Sequence, residues 1–186
     1  MARTSTASGS PGRPRSSVDA AVFAATRATM DELGYARATV DRIAAAAGIA
    51  KTTIYRRWPT KGALITAFLI DAFDAPPMED FEGREALPAL IRWVAAKIAE
   101  PGVGAAFAGV FTDAVNDPGL RELLSTRLQE PHLLTLQELL GRPRRRVLFV
   151  VDVVVGTLLH RMGMTGEPMA EEDVDDLVAM VRRVLD

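Results

Sequence analysis

The stretch TVDRIAAAAGIAKTTIYRRWPTKGAL, residues 39–64, decides the fold. It opens on Thr39, whose hydroxyl can accept a hydrogen bond from a free amide in the first turn of a helix. Val40, Ile43, Ala44 and Ala47 then share one face at helical spacing. Gly48 breaks the run, in the left-handed conformation that glycine adopts without a Cβ penalty. A second short helix starts near Lys51 and ends at Trp58, stopped by Pro59. Two helices of about seven residues, joined across Gly48, Ile49 and Ala50, have the layout of a helix-turn-helix, whose second helix enters the major groove of duplex DNA. Ile54 and Trp58, four apart, face the core. The other positions of that helix are Lys51, Thr52, Thr53, Tyr55, Arg56 and Arg57. None is acidic, and all carry side-chain donors suited to phosphate oxygens or base edges. A merely solvated helix usually mixes charge signs, and this one does not.

Working outward, an earlier helix runs from about Ser17 to Leu33, with Val22, Phe23, Thr26, Met30 and Leu33 as its buried stripe and Gly34 at its end. Thr60 can cap a fourth helix, which carries Leu64, Phe68 and Phe73 into the rest of the chain. Residues 74–83, with Pro76 and Pro77, read as a loop. Helical patterns follow at about 84–100, 103–116, 120–140 (bent at Pro131), 143–162 and 170–185. No segment reads as a strand. The expected fold is all-α, a three-helix head followed by a helical body. The expected divisions are an arm over 1–16, a head over 17–62 and a regulatory and dimerisation body over 63–186. The arm is rich in Ser, Thr, Gly, Pro and Arg and is expected to be disordered when free.

Composition narrows the function. The 186 residues include no cysteine, which excludes disulfides, thiol catalysis and Cys-ligated zinc. The first residues lack the apolar run of a signal peptide. The longest apolar run, Val147 to Val151, stops at Asp152, and the segment to Leu159 reads as too short to span a bilayer. A cytoplasmic location without membrane contact is therefore expected. The formal charge of −2 hides an asymmetry. Residues 1–62 hold ten Lys/Arg against four Asp/Glu, a balance of +6, and residues 63–186 hold twelve against twenty, a balance of −8. Either only the head meets a polyanion, or surface charge has segregated by chance.

The stretch from Thr39 to Leu64, with its helix-capping threonine, turn glycine, Thr-Ile-Tyr core, following aromatic and Lys61, resembles the DNA-binding signature of the TetR/AcrR family of regulators. The resemblance covers about residues 17–70. It implies that Thr39, Tyr55 and Lys61 hold phosphates, that Lys51, Thr52, Thr53 and Arg56 face base edges, and that Arg57 and Thr60 sit by the nucleic-acid backbone. Two positions depart from the pattern: Ala50 stands where a capping serine is common, and Gly62 where an acidic residue is common. Loss of the serine cap should weaken the recognition helix by about 1 kcal/mol. Arg13 and Arg15, just upstream of the first helix, either reach into a minor groove or belong to an untethered tail with weak counterion-release attraction.

In such regulators the body binds a small molecule and pairs with a second copy. Leu148, Asp152, Val155, Leu159 and Met162 follow a heptad seam. Phe149, Val153, Gly156, His160 and Gly163 form a second line, whose glycines permit close approach. The last helix adds Val174, Leu177, Val178, Val181 and Leu185. These helices form a homodimer seam or lie in the core of one chain. Trp93, Phe107, Phe111, Leu128 and Phe149 are candidates to line a pocket for an apolar or amphipathic effector, though aromatics at helical spacing also suit plain core. Neither His132 nor His160 has a partner at metal-ligand spacing, so no metal or cofactor is expected, and His160 reads as a core histidine. No phosphate loop or His–carboxylate pair suggests an enzyme. The expected function is a repressor, released from a near-palindromic operator in double-stranded DNA by its effector. The alternative is a DNA-binding regulator with no small-molecule ligand, controlled by a protein partner or by its abundance.

Overall fold

A computed structural model of the chain describes residues 17–74, 76 and 86–185, and every regular element among them is helical. Helix α1 spans Ser17–Arg37 and buries Val22, Thr26 and Met30 as its stripe predicts. Its regular course breaks at Gly34, where φ is 70° and ψ 168°, and one further turn carries it to Arg37. Helix α2, Val40–Ala47, begins with the Thr39 hydroxyl accepting from the Arg42 amide at 3.3 Å and ends on a left-handed Gly48. Helix α3, Lys51–Arg57, has no side-chain cap at Ala50. Helix α4, Lys61–Ala72, is capped by the Thr60 hydroxyl, which accepts from the Ala63 amide at 3.0 Å.

The head closes on Val22, Ala25, Val40, Ile43, Ala44, Ile54 and Leu64. Ile54 is fully buried, so the recognition helix is held by one apolar anchor worth roughly 1.5–3 kcal/mol of burial. Leu64 belongs to this core, whereas Ile65, Phe68 and Leu69 enter the larger core of the body. The expected division after residue 62 therefore falls inside the first turn of α4. Phe23 packs on both cores, its ring centre 5.5 Å from that of Trp58 and 6.3 Å from that of Phe68.

The body continues with α5 (Ala86–Ala99) and α6 (Val103–Asn116), which meet at 89° across Pro101 and Gly102. Gly102 has φ 74°, and a Cβ there would collide with the Arg27 carbonyl of α1. A glycine is needed for both reasons. Helix α7 (Pro118–Leu124) runs through a π-turn at Ser125–Gln129 into α8 (Glu130–Leu140). The expected bend thus begins one turn before Pro131. Proline has no amide to offer the Arg127 carbonyl four residues back, and its ring would press on that carbonyl, so the helix widens there.

Helix α9 covers Arg144–Thr165 and α10 Glu171–Leu185. The segment expected to be too short for a bilayer lies in this 22-residue helix, which by length and composition is long and apolar enough to cross one. Here Val147, Val150, Val154 and Leu158 turn inward as protein core, and Asp152 is exposed midway along the opposite side. The apolar stripe of α10 (Val174, Leu177, Val178, Val181) is buried in the same core.

Candidate nucleic-acid interface and body cavity

Helix α3 presents Lys51, Thr52, Tyr55, Arg56 and Arg57 to the outside, with Thr53 half-buried beside Ile54. Lys51 Nζ lies 2.6 Å from Asp41 Oδ1 and 5.6 Å from the centre of the Tyr55 ring. The hydrogen bond to Asp41 raises its pKa, so it stays cationic. Arg57 pairs with Asp19 of α1. Arg56 makes no hydrogen bond or ion pair among the described residues. Thr39 and Thr60 are exposed. Each hydroxyl accepts from a backbone amide and still has its own hydrogen to donate. The residues expected to face the nucleic acid are thus exposed, apart from the half-buried Thr53 and one further exception. Arg13 and Arg15 lie outside the described residues.

The further exception is Lys61. Its ammonium donates to the Tyr35 carbonyl at 2.6 Å and sits 3.6 Å from the centre of the Tyr35 ring. The Thr39 amide goes to the Arg37 carbonyl at 3.0 Å, which leaves the Tyr35 carbonyl open at the end of α1, and Lys61 takes it. Burial lowers the pKa of Lys61, and the nearby Asp113 carboxylate of α6 opposes that shift. The Tyr35 hydroxyl donates to Asp113, and burial together with that bond raises its pKa well above the ordinary phenol value. Gly109 makes room for the ring, since a Cβ there would strike it. Lys61 therefore faces the junction of head and body instead of open solvent. Sequence reasoning missed Tyr35 and Asp113, because nothing local in the sequence marks them.

The neighbouring Gly62 explains the second departure from the expected pattern. It is buried, and a Cβ there would lie 2.8 and 2.9 Å from the methyls of Leu120 on α7. A larger acidic residue would force the Leu120 side chain to shift.

A cavity of about 390 Å³ lies between the far end of α4 and helices α5, α6, α8 and α9. Trp93, Phe107 and Leu128, three of the candidate pocket residues, line it. Phe73 joins them, its ring edge-on to Trp93 at 5.7 Å and to Phe107 at 5.4 Å. Two expected members do not line it. Phe111 meets Phe107 edge-on at 4.8 Å but sits one turn further along α6 and is 41% exposed. Phe149 is 50% exposed, because its neighbour Val150 takes the inward position on α9. His132, also missed as a site residue, borders the cavity with Nδ1 2.7 Å from the Leu128 carbonyl and Nε2 3.3 Å from that of Phe73.

The expected dimer residues divide. Leu177, Val178 and Val181 are buried within the chain and are not available to a partner. The physical reason is that the one apolar stripe of α10 already packs into the body core. Leu148, Val155, Leu159 and Met162 are half-buried, Val155 on the cavity wall, and Asp152 is exposed. The second line on α9 is the open one. Phe149, Gly156, His160 and Gly163 are exposed there, with nothing near the glycine Cβ positions, and His160 is thus not a core histidine.

Comparison with known proteins agrees with both halves of this architecture. Residues 22–68 match the family model described as bacterial regulatory proteins, tetR family, and residues 82–181 match the tetracyclin repressor-like C-terminal domain. The chain is 26% identical over 179 residues to an uncharacterized HTH-type transcriptional regulator of Mycobacterium tuberculosis, covering 91% of this chain and 86% of that one. A DNA-binding transcriptional repressor of Mycobacteroides abscessus is 48% identical over 56 residues, 30% of this chain and 29% of that one. The solved structure of a TetR transcription regulator from Haloarcula marismortui superposes with a TM-score of 0.70 at 18% identity, covering 92% of this chain and 98% of that one, and so shares its fold. The chain belongs to the tetR family of regulatory proteins, and it is a DNA-binding transcriptional regulator.

Proposed function

We propose that the protein is a homodimeric repressor, released from a near-palindromic operator when an apolar or amphipathic small molecule occupies the cavity of the body. The observation that carries this reading is the course of α4. Its first residue, Lys61, holds the Tyr35 carbonyl at the junction of head and body, and its last turn delivers Ile70 and Phe73 to the cavity wall. A ligand that shifts Phe73 tilts the helix on which the head rests. Two recognition helices must match half-sites roughly 34 Å apart or a multiple of that, so a displacement of a few ångströms ends simultaneous binding while each head stays folded. A tenfold release needs a ligand preference of about 1.4 kcal/mol for the non-binding state, and operator DNA must weaken ligand binding by the same factor. Thr39, Lys51, Thr52, Thr53, Tyr55, Arg56, Arg57 and Thr60 make the DNA contacts in this reading. Lys61 keeps two N–H groups for a phosphate beyond the one it gives the Tyr35 carbonyl.

The test is operator titration with and without each compound that binds the body. Reciprocal weakening supports the reading. Compounds that bind tightly and leave operator affinity unchanged overturn it, in favour of a regulator controlled by a protein partner or by abundance.

A further inference from the structure

The cavity wall is mostly aliphatic and aromatic, so its few polar side chains decide what fits. Most of these are committed. The Thr135 hydroxyl donates to the Pro131 carbonyl at 3.1 Å, His132 lies against two carbonyls, and Asp74 has an interaction of its own. Two are not. Arg127 and Gln129 are among the residues that line the cavity, and their side chains make no hydrogen bond or ion pair among the described residues. Both come from the π-turn at Ser125–Gln129, which brings Arg127, Leu128 and Gln129 in succession to one cavity. Turns of this kind inside α-helices recur at binding sites.

We propose that the ligand is an organic anion: a compact apolar body held among Phe73, Trp93 and Phe107, with a carboxylate that pairs with the Arg127 guanidinium and accepts from the Gln129 amide. This assignment rests on the ligand-controlled reading above and deepens it. A guanidinium presents parallel donors that match the two oxygens of a carboxylate, whereas a neutral ligand would leave them to water. Arg127 is exposed, so it stands at the mouth. The carboxylate there keeps part of its hydration, and the full cost of burying a charge is avoided. The Asp74 carboxylate at the same cavity adds repulsion, which the Arg127 pairing must exceed for the assignment to hold. A volume of about 390 Å³ suits a bicyclic aromatic acid and falls at the small end of ligand sites.

The test uses the full-length protein and three probes of matched shape: naphthylacetic acid, naphthylethanol and naphthylethylamine, titrated calorimetrically at neutral pH. The acid is expected to bind at least tenfold more tightly than the alcohol, with the amine weakest. Arg127→Gln should bring acid and alcohol to within about twofold and leave the alcohol's affinity unchanged, which also shows that the cavity is intact. Arg145→Gln, an exposed arginine away from the cavity, should leave the ratio as it is. The assignment is overturned if the amine binds most tightly, if acid and alcohol bind equally, if none of the three binds, or if Arg127→Gln keeps the tenfold ratio. Operator titration with the acid is read separately. An acid bound through Arg127 that leaves operator affinity unchanged supports the anion site and removes the ligand-controlled reading.

Discussion

At the scale of single residues, the recognition helix separates support from reading. Ile54 is fully buried and sets how α3 sits on the head, while Arg56 projects from it without a partner among the described residues. Arg56→Ala should therefore leave the melting temperature unchanged. It should cost about 1–3 kcal/mol of operator binding and relax sequence preference at one position, read by binding to a randomised operator pool. Uniform weakening across all sequences would instead make Arg56 a phosphate contact. Thr39, Tyr55 and Arg56 were legible because helical spacing alone puts them on the outer side of a short helix or at its cap. Lys61 was not, because its partners are the Tyr35 carbonyl and, through Tyr35, Asp113 of α6. Spacing carries no information about a contact made across two elements.

The scale of elements is where α1 meets the α5–α6 corner. Gly102→Ala should be among the most destabilising of the conservative substitutions, by roughly 1–3 kcal/mol for the left-handed backbone alone and more for the collision with the Arg27 carbonyl. Urea denaturation measures it. The same corner holds Glu100, which receives Arg27 Nη1 at 2.6 Å and Lys97 Nζ at 2.7 Å. Burial pushes the Glu100 carboxyl up, but those two cations outweigh it and hold its pKa below the ordinary value. The folded protein thus binds that proton less tightly than the unfolded chain. The contribution is in place above about pH 4.3, the usual glutamate range, and is lost as the pH falls through the lower folded value. Glu100→Gln should cost under about 1 kcal/mol near neutrality, since the pair is partly solvated, and the gap to the wild type should close in acid. A gap independent of pH would mean that shape, not charge, makes the contact. The helices themselves were legible, from apolar period and from capping residues such as Thr39 and Thr60. The face that each long helix turns inward was harder to read. Helix α9 is apolar on more than one side, so period alone could not decide between the line through Val155 and the line through Gly156.

At the scale of the molecule, the basic head and the acidic body should behave as opposite poles towards a polyanion. Operator affinity plotted against salt on logarithmic axes should fall steeply, with a slope of several units if a dimer neutralises on the order of ten phosphates. A flat plot would remove the electrostatic basis for DNA binding. For the homodimer proposed above, the open line of Phe149, Gly156, His160 and Gly163 along one side of α9 is the face left to a partner. Gly156→Arg should put a charge and bulk into that face and yield monomer in sedimentation velocity. Val155→Arg should instead damage the cavity.

Helix α4 has a further consequence, for anyone who would cut this protein apart. Leu64 completes the core of the head, and the next residue, Ile65, belongs to the core of the body. A fragment ending at residue 62 would therefore leave Val22, Ile43 and Ile54 without the side chain that closes over them. A graft of this head onto a foreign body would need to carry α4 at least as far as Phe68 and supply new packing for its other side. The reading head is a region of the molecule but not a transplantable part, and heat or denaturant should melt it together with the body in one transition.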